Sequence, residues 1–268
     1  MTNERLLEIA KSAALGAGEI LLRYRKEGVL IRNKAESGGV SHDLVSDADL
    51  HSEQHIAEVL RKETPGYELL GEETLHGAAD AEHLWVIDPL DGTNNYAHGL
   101  PHFAVSIAYY HAGVAQVGVV YNPVHDDWFT AIAGQGAFYN GQRVHVAESE
   151  SLGEVLIGCG FYYDRGDMMR KTLAAIGDLF ETKIHGIRRF GTASLDLCQV
   201  GVGQFGGFFE FQLAPWDFAA GRLFVEEAGG KVTTAIGTEL PMAKTSLVAS
   251  NDRLHDAILA ITKKHWQS

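Results

Sequence analysis

A chain of 268 residues, 46% hydrophobic and 21% charged, has ample material for one large domain or two closely packed lobes, and its composition excludes a disordered protein. Its net charge of −13 argues against nonspecific binding to nucleic acid or anionic membrane, but not against an anionic small substrate approached through metal ions. Two cysteines, Cys159 and Cys198, each in an apolar run, fit small core residues in a reducing compartment, and no signal peptide or membrane-spanning run is read, so a soluble, cytoplasmic protein is expected.

Residues 3–26 carry Leu6, Ile9, Ala10, Ala13, Ala17 and Leu21 at helical spacing, which predicts a helix with a wide apolar stripe. Residues 28–45 mix Gly, Ser and charge, and predict a flexible loop or short hairpin. Ser46, with Asp49 three residues on, reads as a capping box opening a helix to about Lys62. Asp43, Asp49 and Glu53 gather acids near this helix start, and read equally as a solvated face or a functional group. Lys34 reads as surface. A short strand, 67–70, then delivers Gly71-Glu72-Glu73.

The stretch WVIDPLDGTNNY (85–96) organises the rest. A buried strand, 84–87, runs into Asp88 and Asp91, spaced by Pro89 and Leu90. Pro89 fixes a backbone dihedral, Gly92 lets backbone approach a ligand, and a helix opening at Thr93 would aim free N–H groups outward. Alone, the pattern is better read as an Asx-rich turn capping a helix. Glu72, however, ends the neighbouring strand as Asp88 ends this one, and two carboxylates at adjacent strand ends are costly without cations. Oxygen ligands without a His/Cys cluster point to Mg²⁺ rather than zinc.

Beyond this motif the pattern turns to strands at 103–110, 114–121 and 128–133, with turns at 111–113 and 122–123 and a hairpin signal at Asn140-Gly141. The acidic stretch 147–151 is the expected lobe boundary, dividing one domain (3–262) into lobes at about 1–146 and 152–268. Then follow a strand (154–158), a helix (166–180), a strand (184–187), a helix from Thr192, a strand (207–211), a helix opening at Pro215, strands near Lys231 and Leu247, and a last helix after Asn251. Asp217 falls in the first turn of its helix, as a cap or a ligand. A GxGxxG match at 201–206 follows a helix and precedes a strand, the reverse of a dinucleotide-binding turn, and is rejected. The thirteen histidines show no metal-binding spacing and are read as surface or structural. The expected class is α+β, sheets sandwiched between helix pairs.

Taken together, DPLDGTNNY, the GEE turn and PWDFAAGRLFVEEAGG closely resemble the inositol monophosphatase family of Mg²⁺-dependent, lithium-sensitive phosphatases, over nearly the whole chain. The resemblance implies a layered αβαβα sandwich of the inositol monophosphatase/fructose-bisphosphatase type, two to three Mg²⁺ per site, and a homodimer. It assigns Glu72, Asp88 and the Leu90 carbonyl to a first metal, Asp88, Asp91 and Asp217 to a second, and Glu72 with Asp49 to a weaker third. Gly92 and Thr93 would meet the phosphate, with Asp91 and Asp217 beside it. Thr93 and Glu72, with Asp49, would help activate the attacking water. Gly191, Thr192, Ala193 and Glu210 match the substrate-hydroxyl region. Leu90 stands where isoleucine is common, and Gln212, Leu213 and Ala214 look like bacterial members. Arg188 and Arg189, beside the expected pocket, fit substrate, a partner subunit or plain surface. The implied reaction is hydrolysis of a myo-inositol monophosphate by metal-activated water. The alternatives are another small ester (fructose 1,6-bisphosphate, histidinol phosphate, NADP or 3′-phosphoadenosine 5′-phosphate) or a mainly partner-binding role; no nucleic-acid or membrane partner is expected.

Overall fold

A computed structural model describes residues 1–27, 31–33, 44–161 and 165–266, with backbone alone at 31–33 and 44–46. The chain opens with α1 (Asn3–Glu27), the short antiparallel pair β1 (Ile31–Asn33) and β2 (Leu44–Ser46), and α2 (Asp47–Glu63). Next come β3 (Glu68–Gly71), β4 (His83–Asp91), the single turn of helix α3 (Thr93–Ala97), β5 (Ala104–His111), β6 (Val114–Asn122), β7 (Asp127–Ile132), β8 (Gly136–Tyr139) and β9 (Gln142–Val144). The remainder is β10 (Leu156–Cys159), α4 (Asp167–Glu181), β11 (Gly186–Arg188), α5 (Ala193–Gly201), β12 (Gly207–Leu213), α6 (Pro215–Glu227), β13 (Lys231–Thr233), β14 (Thr245–Ser250) and α7 (His255–Trp266). Lys34, His42 and Asp43 lie outside the described residues, as does the side chain of the expected cap Ser46.

Two sheets carry the fold. One has seven strands in the order β3-β4-β5-β6-β7-β8-β9, the other five in the order β11-β10-β12-β14-β13. Strand β4 is buried on both faces, so its run LWVI alternates between two cores rather than between core and water. Trp85 and Ile87 pack with Leu6, Ala13, Leu21, Ile56 and Leu60 of α1 and α2. Leu84 and Val86 face Leu195, Ala219, Leu223 and Phe224 of α5 and α6. The opposite side of α5 and α6 packs Leu197, Phe218 and Val225 on Phe208 and Leu247 of the second sheet. That sheet's far face, with Ile157 and Phe209, is closed by Ala175 and Leu179 of α4 and Ile258 of α7. The order of layers is helix pair, sheet, helix pair, sheet, helix pair: the expected αβαβα sandwich.

Glycine makes the central layer possible. A Cβ on Gly118 would lie 2.9 Å from the Ala220 carbonyl, so β6 and α6 touch through backbone. Two hairpins use mirror-image turns, with positive φ at Ala112 and Gly113 and at Asn140 and Gly141. The first turn carries β5 to His111, one residue beyond the expected end. The strand expected from Glu154 starts at Leu156 instead, because Leu152–Glu154 form a 3-10 turn with the Gly153 N–H donating to Ser151 Oγ at 3.3 Å. The rejected GxGxxG match is the end of α5 and the turn into β12. Cys159 and Cys198 are buried free thiols, both pushed up by burial, Cys159 to about 12.

Candidate active site

Strands β3 and β4 run parallel with Gly71 opposite Ile87, so Glu72 and Asp88 leave adjacent strand ends side by side. Strand β4 then departs from its ladder: Asp88 pairs with Ser106 but Asp91 with Ala104, three residues against two. This bulge holds Pro89, which has no N–H to give the ladder. Its polar groups are satisfied locally: the Leu90 N–H donates to Asp88 Oδ1 at 3.0 Å, and Ser52 Oγ on α2 donates to the Pro89 carbonyl at 2.9 Å. The bulge turns Asp88 and Asp91 toward one site.

Helix α2 serves that site with its first turns and the core with its last. Asp49 is 0% exposed and Glu53 1%, so the solvated-face reading fails. Thr93 Oγ1 lies 3.1 Å from the Leu90 carbonyl and 3.4 Å from Asp49 Oδ1. Glu53 accepts the Glu73 N–H at 3.0 Å and the Thr74 N–H at 2.7 Å, fixing the turn that carries Glu72. Gly92 precedes α3 at φ 93°, and a Cβ there would collide with Thr192 Oγ1, so both conformation and clearance demand glycine. The helix expected at Thr93 is present, but at five residues it adds individual N–H groups more than a dipole.

The remaining candidates come from the middle helix layer and the second sheet. Asp217, in the first turn of α6, accepts the Ala214 N–H at 2.6 Å, so it caps its helix and faces the carboxylates as well. Asp91 Oδ2 accepts the Ser194 N–H of α5 at 2.7 Å. Asn95 of α3 donates to the His102 and Phe190 carbonyls, each at 2.8 Å, and Thr192 Oγ1 donates to the His102 carbonyl at 2.9 Å, seating Gly191-Thr192-Ala193 against the DPLDGT turn. Glu210 on β12 is buried, with Gly160 so close that a Cβ there would overlap its carboxylate.

The electrostatics are those of an anionic cluster. Asp88 is pushed well above the carboxylate range by burial, then by the charges of Glu72, Asp91 and Asp217. Burial, Asp91 and Glu72 do the same to Asp217. Asp91 is pushed up to about 6 by burial, with hydrogen bonds from Ser194 acting the other way. The strongest charges acting on Asp88 and Asp217 are all acidic, so each carboxylate repels its neighbours. Buried carboxylates with a backbone carbonyl among them fit a hard divalent cation, so Glu72, Asp88, Leu90, Asp91 and Asp217 are the residues that could hold Mg²⁺. Glu210 is pushed up to about 8 by burial and then by Asp196, so at neutral pH its carboxyl can donate a hydrogen bond to a hydroxyl. Arg189 bears on Glu210 and Asp196 from the opposite sign, whereas Arg188 donates to the Ile187 carbonyl at 3.0 Å.

Sequence reasoning passed over Asp196, which is buried in the first turns of α5. An Asp inside the apolar run ASLDLC was the available signal. The histidines, expected to be structural or surface, include two with a further possibility. Glu82, His83 and His111 nonetheless each offer a ligand atom within 4.8 Å of the others, at the end of β4 remote from Asp88.

The model of the inositol monophosphatase family matches residues 2–267. A "Putative Nus factor SuhB" from Neisseria meningitidis serogroup B is 43% identical over 97% of this chain and 98% of its own. An "Inositol-1-monophosphatase" from Rhizobium meliloti is 38% identical over 98% of each. Among solved structures, the extragenic suppressor protein suhB of Bartonella henselae superposes with a TM-score of 0.89 at 37% identity, over 97% of this chain and 99% of its own.

Proposed function

Because the chain belongs to the inositol monophosphatase family, we propose that it is a Mg²⁺-dependent phosphatase of small phosphate monoesters, with a myo-inositol monophosphate as preferred substrate. The observation that carries the proposal is the cluster of mutually repelling carboxylates, Asp88, Asp91, Asp217 and Glu72, beside the Gly92–Thr93 turn. Bound Mg²⁺ would supply charge neutralisation and polarisation of the phosphoryl oxygens. Glu72, Asp88 and the Leu90 carbonyl would hold one ion, Asp88, Asp91 and Asp217 a second, and Glu72 with Asp49 a weaker third. The Gly92 and Thr93 N–H groups would hold the phosphate. Glu72 and Thr93 orient the attacking water, and Thr93 Oγ1 can pass its own hydrogen bond to Asp49. Gly191, Thr192, Ala193 and Glu210 form the wall that meets substrate hydroxyls, and Arg189 tunes it. Work as a homodimer in the cytoplasm is part of the proposal; no described helix is long and apolar enough to cross a membrane.

A second reading has its own observation. The meningococcal relative is named a putative Nus factor, which favours a partner-binding role beside or in place of hydrolysis, and leaves a nucleic-acid-associated role open. Phosphate release from inositol 1-phosphate, fructose 1,6-bisphosphate, histidinol phosphate, NADP and 3′-phosphoadenosine 5′-phosphate, with Mg²⁺ or chelator, tests the first reading. Mg²⁺-dependent release from inositol 1-phosphate above the rest is expected. Preference for another ester overturns the substrate and keeps the chemistry. No release from any ester by folded, Mg²⁺-loaded protein moves the assignment to partner binding.

A further inference from the structure

We propose that Glu82, His83 and His111 form a second metal site, selective for Zn²⁺ or a cation of similar preference, at the end of β4 opposite the carboxylate cluster. His83 and His111 are cross-strand partners in the β4–β5 ladder, so both rings stand on one face of the sheet. Their rings lie near-parallel at 4.9 Å between centroids, and Tyr67 stacks on His83 at 4.3 Å, which holds His83 in place; the half-exposed His111 ring turns for both lone pairs to meet one ion. His83 Nδ1 lies 2.7 Å from the Tyr109 hydroxyl. With Nδ1–H donating to that oxygen, the Nε2 lone pair is left for a cation, the second-shell arrangement usual for ligating histidine.

Glu82 is held by its backbone, since the Ala112 N–H of the hairpin turn donates to the Glu82 carbonyl at 2.7 Å. Its carboxylate lies 3.8 Å from His111 Nε2. Two ligands on a tetrahedral zinc with bonds of about 2.0–2.2 Å sit roughly 3.3 Å apart, whereas the three ligand atoms here lie within 4.8 Å, so the exposed Glu82 and half-exposed His111 side chains close by up to roughly 1.5 Å on binding. Two imidazoles and one carboxylate suit zinc, whereas the all-oxygen cluster at the other end of β4 suits magnesium. Strand β4 thus carries a hard-cation site at one end and a borderline-cation site at the other. Three protein ligands would leave a fourth position for water or a donor from another molecule. The bound ion would tie the start of β4 to the end of β5.

The test uses the full chain in excess Mg²⁺, titrated with Zn²⁺ by calorimetry and with Co²⁺ for its absorption spectrum. Crystals soaked in Zn²⁺ are examined by anomalous scattering. Expected are a Co²⁺ spectrum with imidazole ligation, an anomalous peak bonded to His83 and His111, and a rise in melting temperature with Zn²⁺. His111→Ala, on the surface and free to fold, should abolish all three while leaving Mg²⁺-dependent phosphate release unchanged. Tyr109→Phe, which keeps the ring, should weaken zinc affinity about tenfold through loss of the hydrogen bond to His83. Zinc affinity that is unaltered in both His83→Ala and His111→Ala overturns the site, as does an anomalous peak found only among Asp88, Asp91 and Asp217, or no zinc binding at all.

Discussion

Glu53 and Thr74 meet at 2.7 Å, the buried carboxylate of α2 accepting the Thr74 backbone N–H, and the same carboxylate accepts the Glu73 N–H at 3.0 Å. The turn that aims Glu72 is therefore built on a side chain with no place in the proposed chemistry. Glu53→Gln keeps the shape but turns an NH₂ toward N–H donors, at a cost of about 1–3 kcal/mol. Displacement of Glu72 should lower kcat about tenfold or more and raise the Mg²⁺ concentration for half-maximal activity. Mg²⁺ activation curves that superimpose for E53Q and wild type would refute this positioning role.

Removing one charge from the cluster should help the fold and ruin the reaction. Asp88→Asn relieves the cost of burying that charge and its repulsion by Glu72, Asp91 and Asp217. In chelator its melting temperature should exceed that of wild type; added Mg²⁺ should raise the wild type but not the variant, which should release no phosphate. A large stabilisation of D88N by Mg²⁺ would count against the assigned ligands.

Gly160→Ala probes the substrate wall alone. A methyl there would overlap the Glu210 carboxylate and force it aside. The expected result is a KM raised about tenfold, the scale of one lost hydrogen bond of about 1.4 kcal/mol, with an unchanged Mg²⁺ activation curve. A change in kcat with KM constant would place Glu210 in the chemistry instead.

His255 should set part of the acid sensitivity. It is fully buried, between Thr233 Oγ1 at 2.9 Å and Ser250 Oγ at 2.8 Å, and burial lowers it from 6.5 to about 4. The folded protein then binds fewer protons at this ring than the unfolded chain does, so its contribution is full above 6.5 and is lost as pH falls toward 4. The loss approaches roughly 3 kcal/mol. Urea midpoints at pH 7 and 5 should fall further for wild type than for His255→Asn; equal falls would discount the residue.

The carboxylates at strand ends were legible because strand, proline and glycine fix where Asp88 and Asp91 emerge within a few residues of sequence. Asp217 was legible as a first-turn acid, and its double duty as cap and neighbour of the cluster needed the tertiary structure. The αβαβα order rests on β4 being buried on both faces; its unbroken run LWVI marked a buried strand, while that order of layers followed from the family resemblance. Glu53 was not legible as a support because its partners, Glu73 and Thr74, stand twenty residues on and are backbone groups. His83 and His111 escaped notice for a related reason: ladder register, not sequence spacing, makes them neighbours. Ser194 contributes only its N–H to Asp91, and a backbone donor leaves no mark on residue identity.

The connection between the two sheets is pinned: Asn251 Nδ2 donates to the Ala147 and Ser149 carbonyls at 2.9 and 2.8 Å, and Arg253 to the Glu148 carbonyl at 2.8 Å. Helices α5 and α6 belong to the second half of the chain yet roof the first sheet, covering Leu84, Val86, Ala104 and Ala108. Severing the backbone between Ala147 and Ser151 would therefore not yield two independent proteins. It would yield two sticky fragments, each with a bare apolar face made for the other, and their reassociation after denaturation should be second order in concentration, the kinetics of an obligate heterodimer.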